Sequence, residues 1–130
     1  DAVRYPAGLA GVIGVGASNS SGDLAGYSNY SVAVDIVAPS GEKHKRLVFS
    51  TCPTTIKSGG YAYGGGTSYA APQVAATVAM MMKIKPGLTP NQYLSRIQSR
   101  STEIVSDIAE EYFFDLLNAG KAVSLMREPD

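Results

Sequence analysis

Apolar residues form short runs in the first half of the chain and one long run in the second half. Residues 11–17 (GVIGVGA) and 31–38 (SVAVDIVA) are apolar or β-branched, show no helical period, and stop at polar or proline-containing turns. Residues 46–51 (RLVFST) form a third such run, which ends at Pro53. Runs of this length, bounded by turn residues, predict short buried strands.

The long run covers residues 69–85 and is apolar on nearly every side of a helix. Its last turn carries Lys83 and Lys85, which suit the negative end of a helix dipole, and Pro86-Gly87 ends it. A helix that is apolar all round belongs inside a protein core. The pattern therefore predicts a buried helix in this part of the chain.

Two further helices are predicted towards the C-terminus. Thr89 supplies an N-cap, Pro90 suits the first helical position, and Gln92 completes a capping box. A weaker helical pattern begins at Asn118. Strands first and helices last suggest the α+β class on pattern alone.

Composition narrows the classes of function. The 130 residues suffice for one domain, and 45% apolar with 17% charged side chains is typical of a globular protein. Eleven basic and eleven acidic residues cancel, so no overall positive field attracts nucleic acid or an anionic membrane. The longest apolar stretch, residues 74–84, is shorter than the roughly 20 residues that a membrane span needs. We therefore expect neither nucleic-acid binding nor a membrane span.

Candidate chemistry is concentrated in residues 64–72 (GGGTSYAAP), where a glycine-rich turn meets the long helix at Ser68. Glycines admit backbone angles that side chains forbid and let a ligand approach closely. The serine N–H is then among the unpaired donors at the positive end of the helix, where it stabilises negative charge developing on a carbonyl oxygen. For an isolated G-T-S, a simple helix cap is the other interpretation.

The wider string resembles the G-T-S-x-A-x-P signature around the nucleophile of the subtilase family of serine peptidases. Further blocks resemble the family in the same order: Tyr5-Pro6-Ala7 with residues 11–17, Asp35 to Gly41 (DIVAPSG), Thr89 to Gln92, and Leu117-Asn118-Ala119. The resemblance implies part of a doubly wound α/β domain with a parallel central sheet. In that fold the helix from Ser68 is buried through the middle, and the strands before Ser68 belong to the sheet. The resemblance also implies that residues 1–130 are the C-terminal portion of a single catalytic domain.

By the same resemblance, Ser68 is the nucleophile of a serine endopeptidase that cleaves proteins or peptides through an acyl-enzyme, and its backbone N–H is an oxyanion donor. The family's catalytic aspartate, histidine base and oxyanion asparagine have no match in this chain. The sole histidine, His44, lies in a charged loop and does not fit the family's histidine motif, whereas Asp35 matches a structural aspartate.

The missing groups make us expect that this chain alone is inactive. It would need the N-terminal part of the same catalytic domain, supplied by the same precursor or by a companion chain. Packing leads to the same expectation, because a parallel sheet needs both faces covered and half of one leaves a broad apolar surface.

The resemblance also suggests residues around the substrate. The substrate-pocket candidates are Arg4, Tyr5, Gly66 and Thr67. An arginine at position 4 could pair with an acidic P1 side chain; the alternative is that Arg4 points into solvent. Varying only the P1 residue of a peptide would distinguish the two.

A weak cation site is a further expectation from the resemblance. The loop from Ala7 to Val12 is similar to a site built from backbone carbonyls, and the candidate donors are Ala7, Leu9 and Val12. Hard cations such as Ca²⁺ favour oxygen ligands. A structural calcium is therefore compatible with the sequence, while no cofactor is expected for the chemistry.

Two other functions are considered from the sequence. The chain could be a catalytically inactive pseudo-peptidase or interaction module that retains the fold. A nucleotide-binding module is poorly supported, because residues 64–68 lack the lysine of a P-loop and the glycine spacing of a dinucleotide fingerprint. The family resemblance implies an extracellular or cell-envelope location. Residues 1–8 lack the layout of a signal peptide, so an export signal would lie upstream of Asp1.

Overall fold

The computed structural model describes residues 5–42, 48–105 and 112–128. Its strands are β1 (Val15–Ser18), β2 (Ile36–Pro39), β3 (Val48–Thr51), β4 (Tyr61–Gly64), β5 (Thr102–Val105) and β6 (Phe113–Leu116). Its helices are α1 (Thr67–Ile84), α2 (Pro90–Gln98) and α3 (Ala119–Leu125). One sheet has the order β1-β2-β6-β5, in which β1, β2 and β6 are parallel and β5 is antiparallel to β6. With α1 packed on β1 and β2, this is the α/β class that the family resemblance implied, and not the α+β class that element order alone suggested.

The parallel strands β1 and β2 form the centre of the core. They pair in register from Val15 opposite Ile36 to Ser18 opposite Pro39. In β2 the first three residues have no exposed surface, as expected for a strand with both faces covered. The strand is shorter than predicted, because its register with β1 begins only at Ile36 and Val32 is exposed.

The strands β3 and β4 form a separate antiparallel hairpin. The prediction that the strands before Ser68 belong to the parallel sheet is therefore wrong for this pair. Only residues 52–60 connect the two strands, whereas parallel neighbours need a crossover of about a dozen residues or more. The hairpin exposes a cluster of aromatic rings in which Phe49 stacks on Tyr61, with 5.5 Å between ring centroids, and contacts Tyr63.

Helix α1 is buried on one face only within the described part of the chain. Ala70, Val74, Thr77 and Met81 face the sheet and α3 and are buried. The opposite side is exposed although it is almost wholly apolar. We call it the open face of α1, and it comprises Ala71, Pro72, Ala75, Ala76, Ala79, Met80 and Met82. The predicted helix is present, but in the described structure it is buried on one side and not all round.

The other two helices begin where the sequence predicted. The capping box of α2 is confirmed: Thr89 Oγ1 accepts from Gln92 N–H at 3.3 Å, and Gln92 Oε1 accepts from Thr89 N–H at 2.8 Å. Tyr93 of α2 donates its hydroxyl to Lys85 O at the end of α1. Asn118 caps α3. Across residues 5–42, 48–105 and 112–128, none of the helices combines the length and apolar character of a membrane span.

Candidate active site

Ser68 is the second residue of α1, and its side chain is exposed. In the described part of the chain, no group accepts a hydrogen bond from the backbone N–H of Thr67 or of Ser68. Both donors lie in the first turn, where the helix carries a partial positive charge of about half an elementary unit. The structure therefore presents a reachable hydroxyl beside two N–H donors that have no acceptor.

Pro72 leaves the carbonyl of Ser68 without its usual helical partner. The donor to this carbonyl would be the N–H four residues later, and proline has none. A proline ring inside a helix also crowds the carbonyl four residues before it, which here is that of Ser68. The proline of the sequence signature therefore acts on the backbone of the serine itself.

Two glycines shape the turn that precedes Ser68. Gly66 is the N-cap of α1 and has φ of 120° and ψ of 160°, a backbone conformation that favours glycine. At Gly64 the reason is space: an added Cβ would lie 2.0 Å from Tyr69 Oη. One glycine is required by backbone angle and the other by the ring that lies over it.

The turn lies at the carboxyl edge of the parallel strands. At the end of β1, Ser18 O accepts hydrogen bonds at 3.0 Å from the N–H groups of Ser40 and Gly41, which follow β2. Gln73 Nε2, in the first half of α1, donates to Pro39 O at 2.6 Å. Ligands of open α/β sheets bind at this edge, so Ser68 occupies the position in the fold where a substrate is expected.

Two hydroxyl groups hold Gly66. Ser40 Oγ donates to Gly66 O at 2.7 Å and accepts from Gly66 N–H at 2.9 Å. Tyr27 Oη accepts from the same N–H at 3.2 Å and donates to Gly41 O at 2.8 Å. These bonds connect the helix cap to the end of β2 and to the segment after β1.

Sequence reasoning missed Ser40 and Tyr27. Ser40 and Tyr27 lie 26 and 39 residues from Gly66 along the chain, so no local spacing links them. The available signal was a hydroxyl residue directly after Pro39, at the predicted end of a buried strand.

Two predicted substrate-pocket residues, Arg4 and Tyr5, are not brought to Ser68 by the described structure. Arg4 lies outside the described residues, as His44 does, so the predicted P1 contact of Arg4 stays a prediction. Tyr5 is 80% exposed. In the described part of the chain, no hydrogen bond or ring contact ties Tyr5 to Gly66, Thr67 or Ser68, so its place in a substrate pocket also stays a prediction.

The predicted cation loop surrounds a cavity, which we call the loop cavity. Its volume is about 320 Å³, and its lining includes Ala7, Leu9, Val12, Asp35 and Asn91. The carboxylate of Asp35 accepts from Gly14 N–H at 2.7 Å through Oδ2. The structure thus adds a carboxylate to the three carbonyl residues that the sequence suggested.

The arrangement at Ser68 suits nucleophilic attack but is incomplete. A hydroxyl nucleophile needs a base within hydrogen-bond reach to take its proton. No histidine occurs among the described residues, and no side chain there bonds Ser68 Oγ. The site can attack a carbonyl carbon and hold the resulting oxyanion, provided that a base comes from elsewhere.

Comparison with known proteins identifies related sequences and folds. The sequence model of the subtilase family matches residues 1–113. The extracellular protease of Xanthomonas campestris is 42% identical over 86 residues, which are 65% of this chain and 14% of that protein. The thermostable alkaline protease of Halalkalibacterium halodurans is 32% identical over 120 residues, covering 92% of this chain and 30% of that protein. A protease structure from Pseudoalteromonas arctica matches with a TM-score of 0.76 and 28% identity, over 94% of this chain and 38% of that one. This chain therefore spans well under half of each of these relatives.

Proposed function

This chain belongs to the subtilase family, and we propose that it carries the nucleophile of a serine endopeptidase. The observation that supports this most directly is the exposed hydroxyl of Ser68 at the positive end of α1, beside two N–H donors without acceptors. A substrate carbonyl placed there meets both the nucleophile and the donors that stabilise its charge.

The proposed reaction is acyl transfer through Ser68. Its Oγ attacks the carbonyl carbon of a peptide bond, and a base removes the hydroxyl proton. The oxyanion that forms accepts a hydrogen bond from Ser68 N–H at the start of α1. Collapse of this intermediate releases the amine and leaves an ester on Ser68, which water then hydrolyses.

The base and the remaining catalytic groups are proposed to come from the N-terminal part of the same catalytic domain. That part, from the same precursor or as a companion chain, would supply the aspartate, the histidine and the oxyanion asparagine. The open face of α1 supports this proposal, since a helix side made of alanine and methionine is suited to packing against protein. On this proposal the chain alone does not hydrolyse peptides.

The relatives also support a proposal for the substrate class and the location of the protein. The relatives named above are proteases, and one is named an extracellular protease. We propose proteins or peptides as substrates and an extracellular or cell-envelope location. A P1 preference for acidic side chains, through Arg4, remains a prediction from sequence.

The loop cavity is proposed to hold a structural cation. Backbone carbonyls of Ala7, Leu9 and Val12 and the carboxylate of Asp35 belong to residues that line it. An all-oxygen donor set with one carboxylate suits Ca²⁺ of modest affinity. Its contribution would be to stability, because the proposed acyl transfer needs no metal.

A fluorophosphonate probe on the full-length protein tests the proposed function. The probe phosphonylates an activated serine: its phosphorus bonds to Oγ, fluoride leaves, and the base takes the proton. We expect labelling at Ser68 and peptide cleavage, both reduced by about three orders of magnitude or more in Ser68→Ala. Ser58→Ala, which alters another exposed serine in the hairpin connection, is the matched control and should leave both unchanged. A folded full-length protein without labelling at Ser68 would instead support the inactive pseudo-peptidase.

A further inference from the structure

Ser40 bonds both polar backbone groups of a single residue. Its Oγ donates to Gly66 O at 2.7 Å and accepts from Gly66 N–H at 2.9 Å, and Ser40 has no exposed surface. Gly66 adopts φ of 120° and ψ of 160°, a positive-φ conformation that favours glycine, and in it one hydroxyl bonds both groups.

Ser40 is itself held firmly. It follows the buried residues of β2, and its N–H donates to Ser18 O at the end of β1 at 3.0 Å. Its position is therefore set by the core of the sheet. Because Ser40 bonds Gly66, the core of the sheet also holds the N-cap of α1, which lies two residues before Ser68.

Resting on the proposed function, we infer that Ser40 is a positioning residue for the nucleophile, with Tyr27 as a weaker second contact. Ser40 has no exposed surface and its Oγ bonds Gly66, so we assign it no direct contact with substrate. It fixes the position of Gly66. Because Gly66 is the N-cap of α1, this in turn fixes the position and orientation of Ser68 at the carboxyl edge of the sheet. Small displacements of a reacting group are costly, since about 1 Å can lower a rate on the order of 100-fold.

The surroundings separate this role from a purely structural one. Without the Ser40 hydroxyl, Gly66 N–H keeps Tyr27 Oη at 3.2 Å, and Gly66 O keeps the N–H of Tyr69 at 2.8 Å. No backbone group of Gly66 is left without a partner, so Ser40→Ala should fold. What it loses is the two bonds of Ser40 Oγ to Gly66, at 2.7 and 2.9 Å, that fix the turn.

Ser18 provides a matched control. It is 1% exposed and ends the parallel strand beside β2, and its Oγ has no hydrogen-bond partner among the described residues. Ser18→Ala therefore removes an equally buried hydroxyl from the same edge of the sheet without touching Gly66. An effect on kcat that comes only from deleting a buried serine side-chain oxygen at this edge should appear in both variants, whereas the loss of bonds to Gly66 occurs in Ser40→Ala alone.

The experiment uses the full-length protein and measures kcat and KM for a peptide substrate, the rate of fluorophosphonate reaction, and the temperature of unfolding. For Ser40→Ala we expect kcat and the probe rate to fall about 10- to 100-fold, with KM changed by less than about twofold. Ser18→Ala should keep kcat within about twofold of the wild type. Tyr27→Phe, which removes the longer bond and keeps the ring, should lower kcat less than Ser40→Ala.

A double variant sharpens the test. Ser40→Ala with Tyr27→Phe leaves Gly66 N–H without either acceptor, so kcat should fall by more than the product of the two single effects. The inference is overturned if Ser40→Ala matches Ser18→Ala in kcat, or if its loss of rate follows a lowered unfolding temperature. If the wild-type protein does not react at Ser68 at all, the proposed function fails first and this inference fails with it. A wild type that reacts normally beside an unaffected Ser40→Ala contradicts the inference alone.

Discussion

The open face of α1 and the loop cavity are two unfilled parts of the described structure, and only the cavity has polar side chains, those of Asp35 and Asn91, in its otherwise apolar lining. The open face presents only aliphatic carbon and sulfur from Ala71, Ala75, Ala79, Met80 and their neighbours. The lining of the loop cavity includes loop residues with backbone carbonyls and the carboxylate of Asp35. The two regions therefore call for different occupants.

Each lining selects its occupant by elementary physical chemistry. An aliphatic surface gains on the order of 25 cal/mol for each Å² that it hides from water, and it can pack closely only against another apolar surface. Carbonyl and carboxylate oxygens instead suit a hard cation, which an apolar surface could not hold. The comparison predicts a protein partner for the first region and an ion for the second.

The largest expected effect comes from placing a charge on the open face. Ala79→Asp in the full-length protein would leave an unpaired carboxylate in the proposed interface, at a cost of about 3 kcal/mol or more in unfolding free energy. Folded yield and chemical denaturation measure it. Thr54→Asp, an exposed site in the hairpin connection, is the control and should stay within about 0.5 kcal/mol of the wild type. If Ala79→Asp leaves the unfolding free energy unchanged, the open face remains in water.

Replacing either of two adjacent methionines by alanine deletes the same side chain and should have a smaller effect on the unfolding free energy than Ala79→Asp. Met81 has no exposed surface, whereas Met82 is 50% exposed on the open face. Met81→Ala should cost about 2–4 kcal/mol, because burial is lost and a cavity is left. If the open face is covered in the full-length protein, Met82→Ala should lower the unfolding free energy by more than about 1 kcal/mol. If Met82→Ala changes it hardly at all while Met81→Ala is costly, the helix is packed on one side only. Denaturant midpoints of the two variants decide between these results.

Local signals explain which elements could be predicted. Thr89 and Gln92 cap α2 within four residues, and Pro86-Gly87 ends α1, so sequence spacing alone locates these boundaries. Strand pairing depends on contacts that are distant in sequence. The sequence pattern therefore puts β3 in the wrong sheet, and it predicts none of β4, β5 and β6.

The same division explains the candidate site. Residues 64–72 are contiguous, so the glycine turn, Ser68 and Pro72 could be read from one string. Ser40, Tyr27 and Asp35 reach their places only through the fold, and a serine or tyrosine between strands has no pattern that marks it. One contiguous string, through its family resemblance, pointed to Ser68 as the nucleophile, but it did not point to Ser40 and Tyr27, which hold the turn before Ser68.

The smallest expected effect concerns the loop cavity and tests the negative charge of Asp35. Asp35→Asn keeps an oxygen that can accept from Gly14 N–H, as Asp35 Oδ2 does now at 2.7 Å, while it removes the negative charge. The change should therefore spare the local fold and weaken cation binding. At Ca²⁺ about ten times its Kd, binding adds about 1.4 kcal/mol to the unfolding free energy.

We expect Ca²⁺ to raise the unfolding temperature of the full-length wild type, relative to chelator, by more than it raises that of Asp35→Asn. Asp23→Asn, which removes a carboxylate outside the cavity lining, is the control and should keep the wild-type response. Because other parts of a longer protein can bind Ca²⁺, the informative quantity is the difference between the two variants. Equal responses in all three proteins would remove the ion from the loop cavity, and the contrast with the open face would then rest on the apolar side alone.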